Sequence, residues 1–137
     1  MSGGTIEGHC ACGKVQVQFT GPAPAPSQCY CSQCRHVSGG GGATFAGVPS
    51  DRVRISGKLA EFEEPTRSGN RAVRSFCPAC GTAVLSRTPR FPDLLILKLS
   101  LFDDYPNPNV ASVFWSCEAP PWAIFPQGAR IFERGSN

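Results

Sequence analysis

The chain has 137 residues, of which 41% are hydrophobic and 17% are charged, and its net charge is +3. This composition indicates a globular protein and excludes a disordered chain, and so small a charge does not by itself indicate a nucleic-acid or membrane partner. No apolar run approaches the roughly 18 residues of a membrane-spanning helix, and residues 1–6 lack the basic and apolar segments of a signal peptide. We therefore predict one cytoplasmic domain over residues 1–137, with a modest hydrophobic core.

The predicted secondary structure is almost entirely β, because 15 glycines and 13 prolines disfavour long helices. Residues 14–19 alternate polar and apolar side chains, which predicts an amphipathic strand. Residues 21–26 and 38–42 are predicted loops, and residues 94–99, the most apolar run, are the predicted central strand. Further strands are predicted at residues 43–49, 53–55, 59–62, 72–76, 82–87, 112–115 and 129–132, with a turn at residues 68–70.

Eight cysteines are the most informative feature of the chain, and seven of them lie in three tight clusters. The clusters are Cys-x-Cys at residues 10–12, Cys-x-Cys-x-x-Cys at residues 29–34 and Cys-x-x-Cys at residues 77–80. Disulfides are rare in the cytoplasm, and the two Cys-x-Cys pairs fit disulfide geometry poorly. The clusters therefore favour metal binding over a disulfide framework.

The two outer clusters together supply four thiolates, the ligand set of a closed, tetrahedral structural zinc site. We predict that Cys10, Cys12, Cys77 and Cys80 form this site and tie the N-terminal strand to the middle of the chain. Gly81 follows the third cluster where the turn tightens. Such a site adds stability that a small core lacks.

The middle cluster has three thiolates, which predicts a second zinc at Cys29, Cys31 and Cys34 with one open coordination position. A zinc with three thiolates carries a net negative charge, so it is a weak Lewis acid that activates water poorly and suits an incoming thiol. A fourth protein ligand would close the site. Three residues are candidates for that ligand, namely Cys117, which is otherwise unassigned, His36 and His9.

The three cysteine clusters lie in longer motifs, which are GHCACGKV at residues 8–15, CYCSQCRHVSG at residues 29–39 and RSFCPACGT at residues 74–82. These motifs closely resemble those of the glutathione-dependent formaldehyde-activating enzyme family, which also includes centromere protein V-like domains. The resemblance extends through residues 101–104 and 119–122. The chain departs from the family pattern at Tyr30, where a histidine is common, near Ser112, where many relatives carry a histidine, and at Cys117, which has no counterpart.

The resemblance implies a mainly β, Mss4-like fold of curved antiparallel sheets with two zinc ions, one held by each cysteine set above. It implies a carbon–sulfur lyase resembling S-(hydroxymethyl)glutathione synthase, with glutathione or its formaldehyde adduct as the small-molecule partner. A related lyase acting on another thiol adduct fits the same residues. The alternative from another class is a non-catalytic zinc module that binds protein or nucleic acid, but the sequence shows no basic stripe interleaved with aromatic residues.

Arginines flank the clusters and could recognise an anionic substrate. Arg35 directly follows the three-cysteine cluster, and we place it in the catalytic site beside Cys29, Cys31 and Cys34, where it could bind a substrate carboxylate through two parallel hydrogen bonds. Three more arginines precede the third cluster and could extend a positive rim or simply lie on a solvated surface, namely Arg67, Arg71 and Arg74.

Overall fold

The computed structural model describes residues 4–66 and 69–135, and most of these residues belong to two β-sheets or to the turns that connect their strands. Within this part of the chain the one α-helix is α1 (Ser32–Ser38). The strands are β1 (Thr5–His9), β2 (Gln16–Thr20), β3 (Ser27–Cys29), β4 (Ala43–Pro49), β5 (Val53–Ser56), β6 (Ala60–Pro65), β7 (Arg71–Phe76), β8 (Ala83–Arg87), β9 (Leu94–Lys98), β10 (Ser112–Phe114) and β11 (Arg130–Ile131). The prediction of a mainly β fold with little helix is confirmed.

The smaller sheet has three antiparallel strands in the order β1-β2-β5. Its middle strand shows the alternation seen in the sequence, because Val17 and Phe19 are buried while Gln16 and Gln18 face away from the core. The predicted strand at residues 14–19 is therefore present, beginning two residues later than predicted.

The larger sheet has eight strands in the order β11-β10-β3-β4-β9-β8-β7-β6. Strand β9 lies between β4 and β8, as predicted for the most apolar run of the sequence. Most pairings are antiparallel, but β10 pairs in parallel with both β3 and β11, so the sheet is mixed rather than purely antiparallel.

The hydrophobic core lies between the two sheets. Leu85 and Leu97 are directly paired on neighbouring strands, and both belong to the same buried cluster as Val17 and Phe19 of the smaller sheet. The Phe19 ring packs edge-on against Phe102 at 5.9 Å between ring centroids. Burying each of these large side chains stabilises the fold by about 1.5–3 kcal/mol.

The opposite side of the larger sheet carries α1, and we call it the helix face. Side chains of directly paired residues point to the same side of a sheet. Lys98 pairs with Phe45, Phe45 pairs with Ser27, and Cys29 lies two residues beyond Ser27, so all four share the helix face. Arg74 belongs to the same face through the pairs that link β7, β8 and β9.

Besides three short 3-10 helices, the described structure contains two strands and one α-helix that sequence patterns did not predict, namely β1, β3 and α1. Strand β3 has only three residues, which is too short to show a period of two. Helix α1 begins after Cys31, whose sulfur accepts a hydrogen bond from the backbone N–H of Cys34 at 3.4 Å. Cysteine is not among the residues that usually signal a helix start, so this helix was not predicted.

The predicted turn at residues 68–70 lies partly outside the described residues, because Ser68 is not among them. None of the described helices is long and apolar enough to cross a membrane.

Gly57, which follows β5, provides a test of the close contact between this turn and the backbone of Lys14, just before β2. Its φ is +100°, and a Cβ at this position would lie 2.2 Å from the carbonyl oxygen of Lys14. We expect Gly57→Ala to lower the free energy of unfolding by about 2–4 kcal/mol, because backbone strain and the clash add. Urea denaturation at constant zinc concentration measures this loss.

Gly128→Ala is the matched control, because Gly128 has a φ of +88° and open space around the site of its missing Cβ. We expect it to lose only about 1 kcal/mol, the cost of the left-handed backbone alone. Equal losses in the two variants would show that the contact with Lys14 contributes nothing.

Candidate metal centres

Four thiols from two distant hairpins meet at one edge of the molecule, as the sequence predicts. Cys10 and Cys12 lie in the turn between β1 and β2, and Cys77 and Cys80 lie in the turn between β7 and β8. All four sulfurs lie within 4.8 Å of one another. We call this group the four-thiol cluster.

The spacing of these sulfurs fits a tetrahedral zinc ion. Four sulfurs at about 2.3 Å from a common centre are about 3.8 Å apart. The Sγ atoms of Cys10 and Cys12 are 3.7 Å apart, and those of Cys12 and Cys77 are 3.8 Å apart. The cluster is therefore shaped for a metal ion rather than for a disulfide bond, in which the sulfurs would lie about 2 Å apart.

The two turns that carry these thiols are built alike. Each ends in a glycine with a left-handed backbone, Gly13 at φ +81° and Gly81 at φ +79°. The backbone N–H of Val15 donates a hydrogen bond to the Cys10 sulfur at 3.2 Å. Cys10 and Cys77 are buried, whereas Cys12 and Cys80 reach the solvent. One side of the cluster thus rests on the core and the other faces water.

Thr82 links the two turns, and sequence reasoning did not single it out. Its hydroxyl oxygen accepts a hydrogen bond from the backbone N–H of Ala11 at 3.1 Å, which leaves its proton for the Cys80 sulfur, also at 3.1 Å. Hydrogen bonding from Thr82 lowers the pKa of Cys80 to about 5. Thr82 therefore favours the thiolate form, which is the form that binds a metal.

The remaining cluster thiols gather on the helix face. Cys29 ends β3, Cys31 directly precedes α1 and Cys34 lies in the first turn of that helix. Their sulfurs also lie within 4.8 Å of one another, and we call them the three-thiol cluster. Hydrogen bonds from Cys29 and Cys34 lower the pKa of Cys31, and the bond between Cys31 and Cys29 raises the pKa of Cys29.

The structure brings no fourth ligand to the three-thiol cluster from residues 4–66 and 69–135. Cys117, the leading candidate, is exposed in a separate 3-10 turn at Ser116–Glu118. The Nδ1 atom of His36 donates instead to the carbonyl oxygen of Ser32 at 2.6 Å. His9 lies beside the other cluster, where its Nδ1 atom bonds the carbonyl oxygen of Cys10 at 2.8 Å.

Tyr30, between Cys29 and Cys31, packs into the protein. Its side chain is buried, and its ring lies 5.5 Å from the Phe125 ring, measured between centroids. A Cβ on Gly42 would come within 2.9 Å of the same ring. Tyr30 therefore serves packing at a position between two thiols.

Cationic side chains surround the three-thiol cluster on the helix face. Arg35 is half-buried, and its Nε atom donates to the carbonyl oxygen of Tyr30 at 3.1 Å. Arg74 forms an ion pair with Glu64 at 2.5 Å, with both side chains largely shielded from solvent. Lys98 is buried, and sequence reasoning missed it because it ends an apolar strand.

The other two arginines of the predicted rim do not add to it in the same way. Arg71 pairs with Glu63 at 3.3 Å on the exposed edge of β7. Arg67 lies outside the described residues. Of the three arginines that precede the third cysteine cluster, Arg74 is the one that the described structure places on the helix face beside α1.

A pocket of about 340 Å³ opens beside the three-thiol cluster, between α1 and strands β6 and β7. Its lining residues are Ser32, Gln33, His36, Val37, Phe62, Glu64 and Arg74. A larger groove of about 930 Å³ lies on the outer side of the smaller sheet and contains no cysteine. We assign the smaller pocket to the site because two of its lining residues, Ser32 and Gln33, lie between Cys31 and Cys34 in the chain, whereas the larger groove lies on the other sheet.

Comparisons with known proteins agree with these motifs. Residues 5–118 match the model of the family described as glutathione-dependent formaldehyde-activating enzyme. A Halomonas elongata protein named "Putative glutathione-dependent formaldehyde-activating enzyme" is 36% identical over 112 residues, covering 75% of this chain and 69% of that protein. A Rhodobacter sphaeroides protein of known crystal structure is similar in fold, with a TM-score of 0.58 and 22% identity over 72% of this chain and 88% of that one.

Replacing Thr82 tests its support of the four-thiol cluster. Without the hydroxyl, the pKa of Cys80 rises toward its ordinary value of 9.0, and protons then compete with zinc for the sulfur. We expect Thr82→Val to weaken zinc binding about 10-fold, with a larger loss near pH 6 than near pH 8. Competition with a chromophoric chelator at both pH values measures the change.

Thr20→Val is the control, because Thr20 is exposed at the end of β2, away from the cysteine turns. It should bind zinc like the wild type at both pH values. A Thr82→Val loss that does not depend on pH would contradict the role assigned to the hydroxyl.

Proposed function

Because the chain belongs to the family of glutathione-dependent formaldehyde-activating enzymes, we propose that it joins formaldehyde to glutathione, and releases it again, at the three-thiol cluster. The observation that carries the proposal is a set of three clustered sulfurs without a fourth ligand in the described part of the chain. The resemblance noted in the sequence is thereby confirmed at the level of the family. The lyase reaction and the substrate are our proposal.

The donor set of each cluster fits zinc, which prefers thiolate ligands, and we propose two ions per chain. The four-thiol cluster leaves no position for a substrate. At the three-thiol cluster a bound zinc would supply one open position at which a substrate thiol loses its proton and remains nucleophilic. We therefore assign stability to the first cluster and chemistry to the second.

The proposed reaction balances without a redox partner. The sulfur of glutathione forms a bond to the carbon of formaldehyde, and the π electrons of the carbonyl bond move to the oxygen. The proton that leaves the thiol ends on that oxygen, which gives the S-hydroxymethyl adduct. The reverse sequence breaks the carbon–sulfur bond and releases both reactants.

The chain's own side chains would bind and orient the thiol. The Nε atom of Arg35 donates to the carbonyl oxygen of Tyr30, and the Arg35 side chain makes no other hydrogen bond or ion pair with the described residues. Its terminal nitrogens are therefore available for a carboxylate. Arg74 and Glu64 line the pocket as a pair and offer both charges to a zwitterionic peptide. Phe62, whose side chain is exposed, adds apolar surface to the same wall.

We propose that residues 1–137 act as one zinc-binding domain in the cytoplasm without a nucleic-acid partner. The single core between the two sheets supports one domain, since both sheets contribute to it. The proposed substrate, glutathione, supports a reducing compartment, where thiols remain free to bind metal.

Cys31→Ser tests whether the four-thiol cluster stabilises the fold while the three-thiol cluster carries the reaction. We expect zinc per chain to fall from two ions to one, with the fold retained, because the four-thiol cluster is untouched. We expect catalysed exchange between formaldehyde and its glutathione adduct to fall about 100-fold, toward the spontaneous rate. Metal analysis and NMR exchange spectroscopy measure the two quantities.

Two further variants serve as controls for this experiment. Cys117→Ser should keep both zinc ions and full exchange, because Cys117 lies outside both clusters. Cys77→Ser should lose the structural zinc and unfold at lower temperature. Loss of both zinc ions in Cys31→Ser would contradict the assignment of two independent sites.

A second candidate, a non-catalytic module that binds another protein, is favoured by one observation. Trp122 is 72% exposed and Ile124 is 88% exposed, and both lie beyond residue 118, where the family match ends. A contiguous patch of exposed apolar side chains often marks an interaction surface. A wild type that binds two zinc ions but never accelerates the exchange would favour this candidate. Steeply salt-dependent binding to nucleic acid would instead indicate a non-catalytic module whose partner is nucleic acid.

A further inference from the structure

Lys98 is a buried lysine that neither the family motifs nor the proposed reaction uses. Its side chain is 7% exposed, at the end of β9 in the middle of the larger sheet. Lysine is almost never fully buried unless an opposite charge pairs with it. A lysine in this position therefore requires a nearby anion.

The described residues offer no carboxylate for this role. No Asp or Glu oxygen of residues 4–66 and 69–135 lies within the 4.0 Å of an ion pair with the Lys98 ammonium. Its contact with the Phe45 ring, at 5.8 Å from the centroid, offers only partial compensation. The nearby Arg74 carries the same charge as Lys98 and already has Glu64 as its partner.

The negative groups that act on Lys98 are the sulfurs of the three-thiol cluster. Strand register places Lys98 on the helix face with Cys29, two strands away across β4. Burial is the larger effect and lowers the pKa of Lys98, while the charges of Cys34, Cys29 and Cys31 act in the opposite direction. Among the described residues, the negative groups that act on Lys98 are therefore the sulfurs of this cluster.

We propose that Lys98 is the positioning cation of the three-thiol cluster, offsetting the negative charge of its ligand set and the charge that a substrate thiolate adds. This inference rests on the proposed zinc at that cluster. Three thiolates and a zinc ion carry one net negative charge, and an incoming thiolate makes it two. Such a charge is costly away from water, so a fixed ammonium beneath the cluster stabilises the loaded form.

The test removes the charge of Lys98 and measures metal affinity directly. We expect Lys98→Met to weaken zinc at the three-thiol cluster by about 10- to 100-fold and to leave zinc at the four-thiol cluster unchanged. Lys98→Arg, which keeps the charge, should stay within about three-fold of the wild type. Titration of zinc against a competing chelator, starting from protein that holds one zinc ion, gives the affinity of the weaker site.

Lys58→Met is the matched control, because Lys58 is exposed in the turn after β5. It should bind zinc like the wild type. Loss of zinc at the four-thiol cluster in Lys98→Met would indicate that this variant does not fold. Lys98→Gln is then the neutral variant to measure, since glutamine removes the charge and keeps a polar tip. Unchanged affinity in the neutral variants, or an equal loss in Lys98→Arg, would overturn the assignment of a charge effect.

The formaldehyde exchange rate of the same proteins separates this inference from the proposed function. A wild type with two zinc ions and no accelerated exchange would contradict the proposed function. The comparison of zinc affinities would still test the role of Lys98. An active wild type whose Lys98→Met variant keeps full zinc affinity would end the inference about Lys98 alone.

Discussion

The contact on which the rest of the structure depends is the meeting of four sulfurs from two hairpins. Cys12 and Cys77 are 65 residues apart in sequence, yet their sulfurs lie 3.8 Å apart. Closing a chain segment of that length costs about 4 kcal/mol of conformational entropy. A metal ion bound by the four sulfurs would offset this cost, which otherwise falls on the hydrophobic core alone. The same closure holds the smaller sheet over the larger one and so completes the core around Phe19 and Leu97.

With the core fixed on one side, the other side of the larger sheet is available for chemistry. Leu97 and Lys98 are neighbours on β9 and point to opposite sides, one into the apolar core and one toward the three-thiol cluster. Strand β3 delivers Cys29 to that second side, and α1 adds Cys31 and Cys34 within one turn. The rigid sheet therefore sets the position of the thiols, and a short helix sets their spacing.

Sequence patterns predicted most of this arrangement because strong local signals carry it. Period-two alternation identified β2, and tight cysteine spacing identified the thiols that each segment brings together. The pairing of the two outer segments, 65 residues apart, followed instead from the four ligands that a structural zinc site needs. Three features had no such signal. The short parallel pairing of β10 with β3 has no periodicity, α1 is capped by a cysteine, and Lys98 reads as the polar end of an apolar strand. The distance of Cys117 from the thiols likewise depends on tertiary structure alone.

The two clusters solve the same electrostatic problem in different ways. Four thiolates around a divalent metal carry two net negative charges. At the four-thiol cluster this charge would be stabilised by water beside Cys12 and Cys80, by a backbone N–H at Cys10 and by the Thr82 hydroxyl. These groups stabilise a charge that never changes. In the proposed reaction the charge at the three-thiol cluster changes whenever a thiol enters or leaves, and there the helix and the sheet replace much of the water. A buried ammonium suits that site because its field acts through a poorly screened interior. The proposed division into a structural and a reactive centre therefore rests on the difference in surroundings rather than on the ligand type that both clusters share.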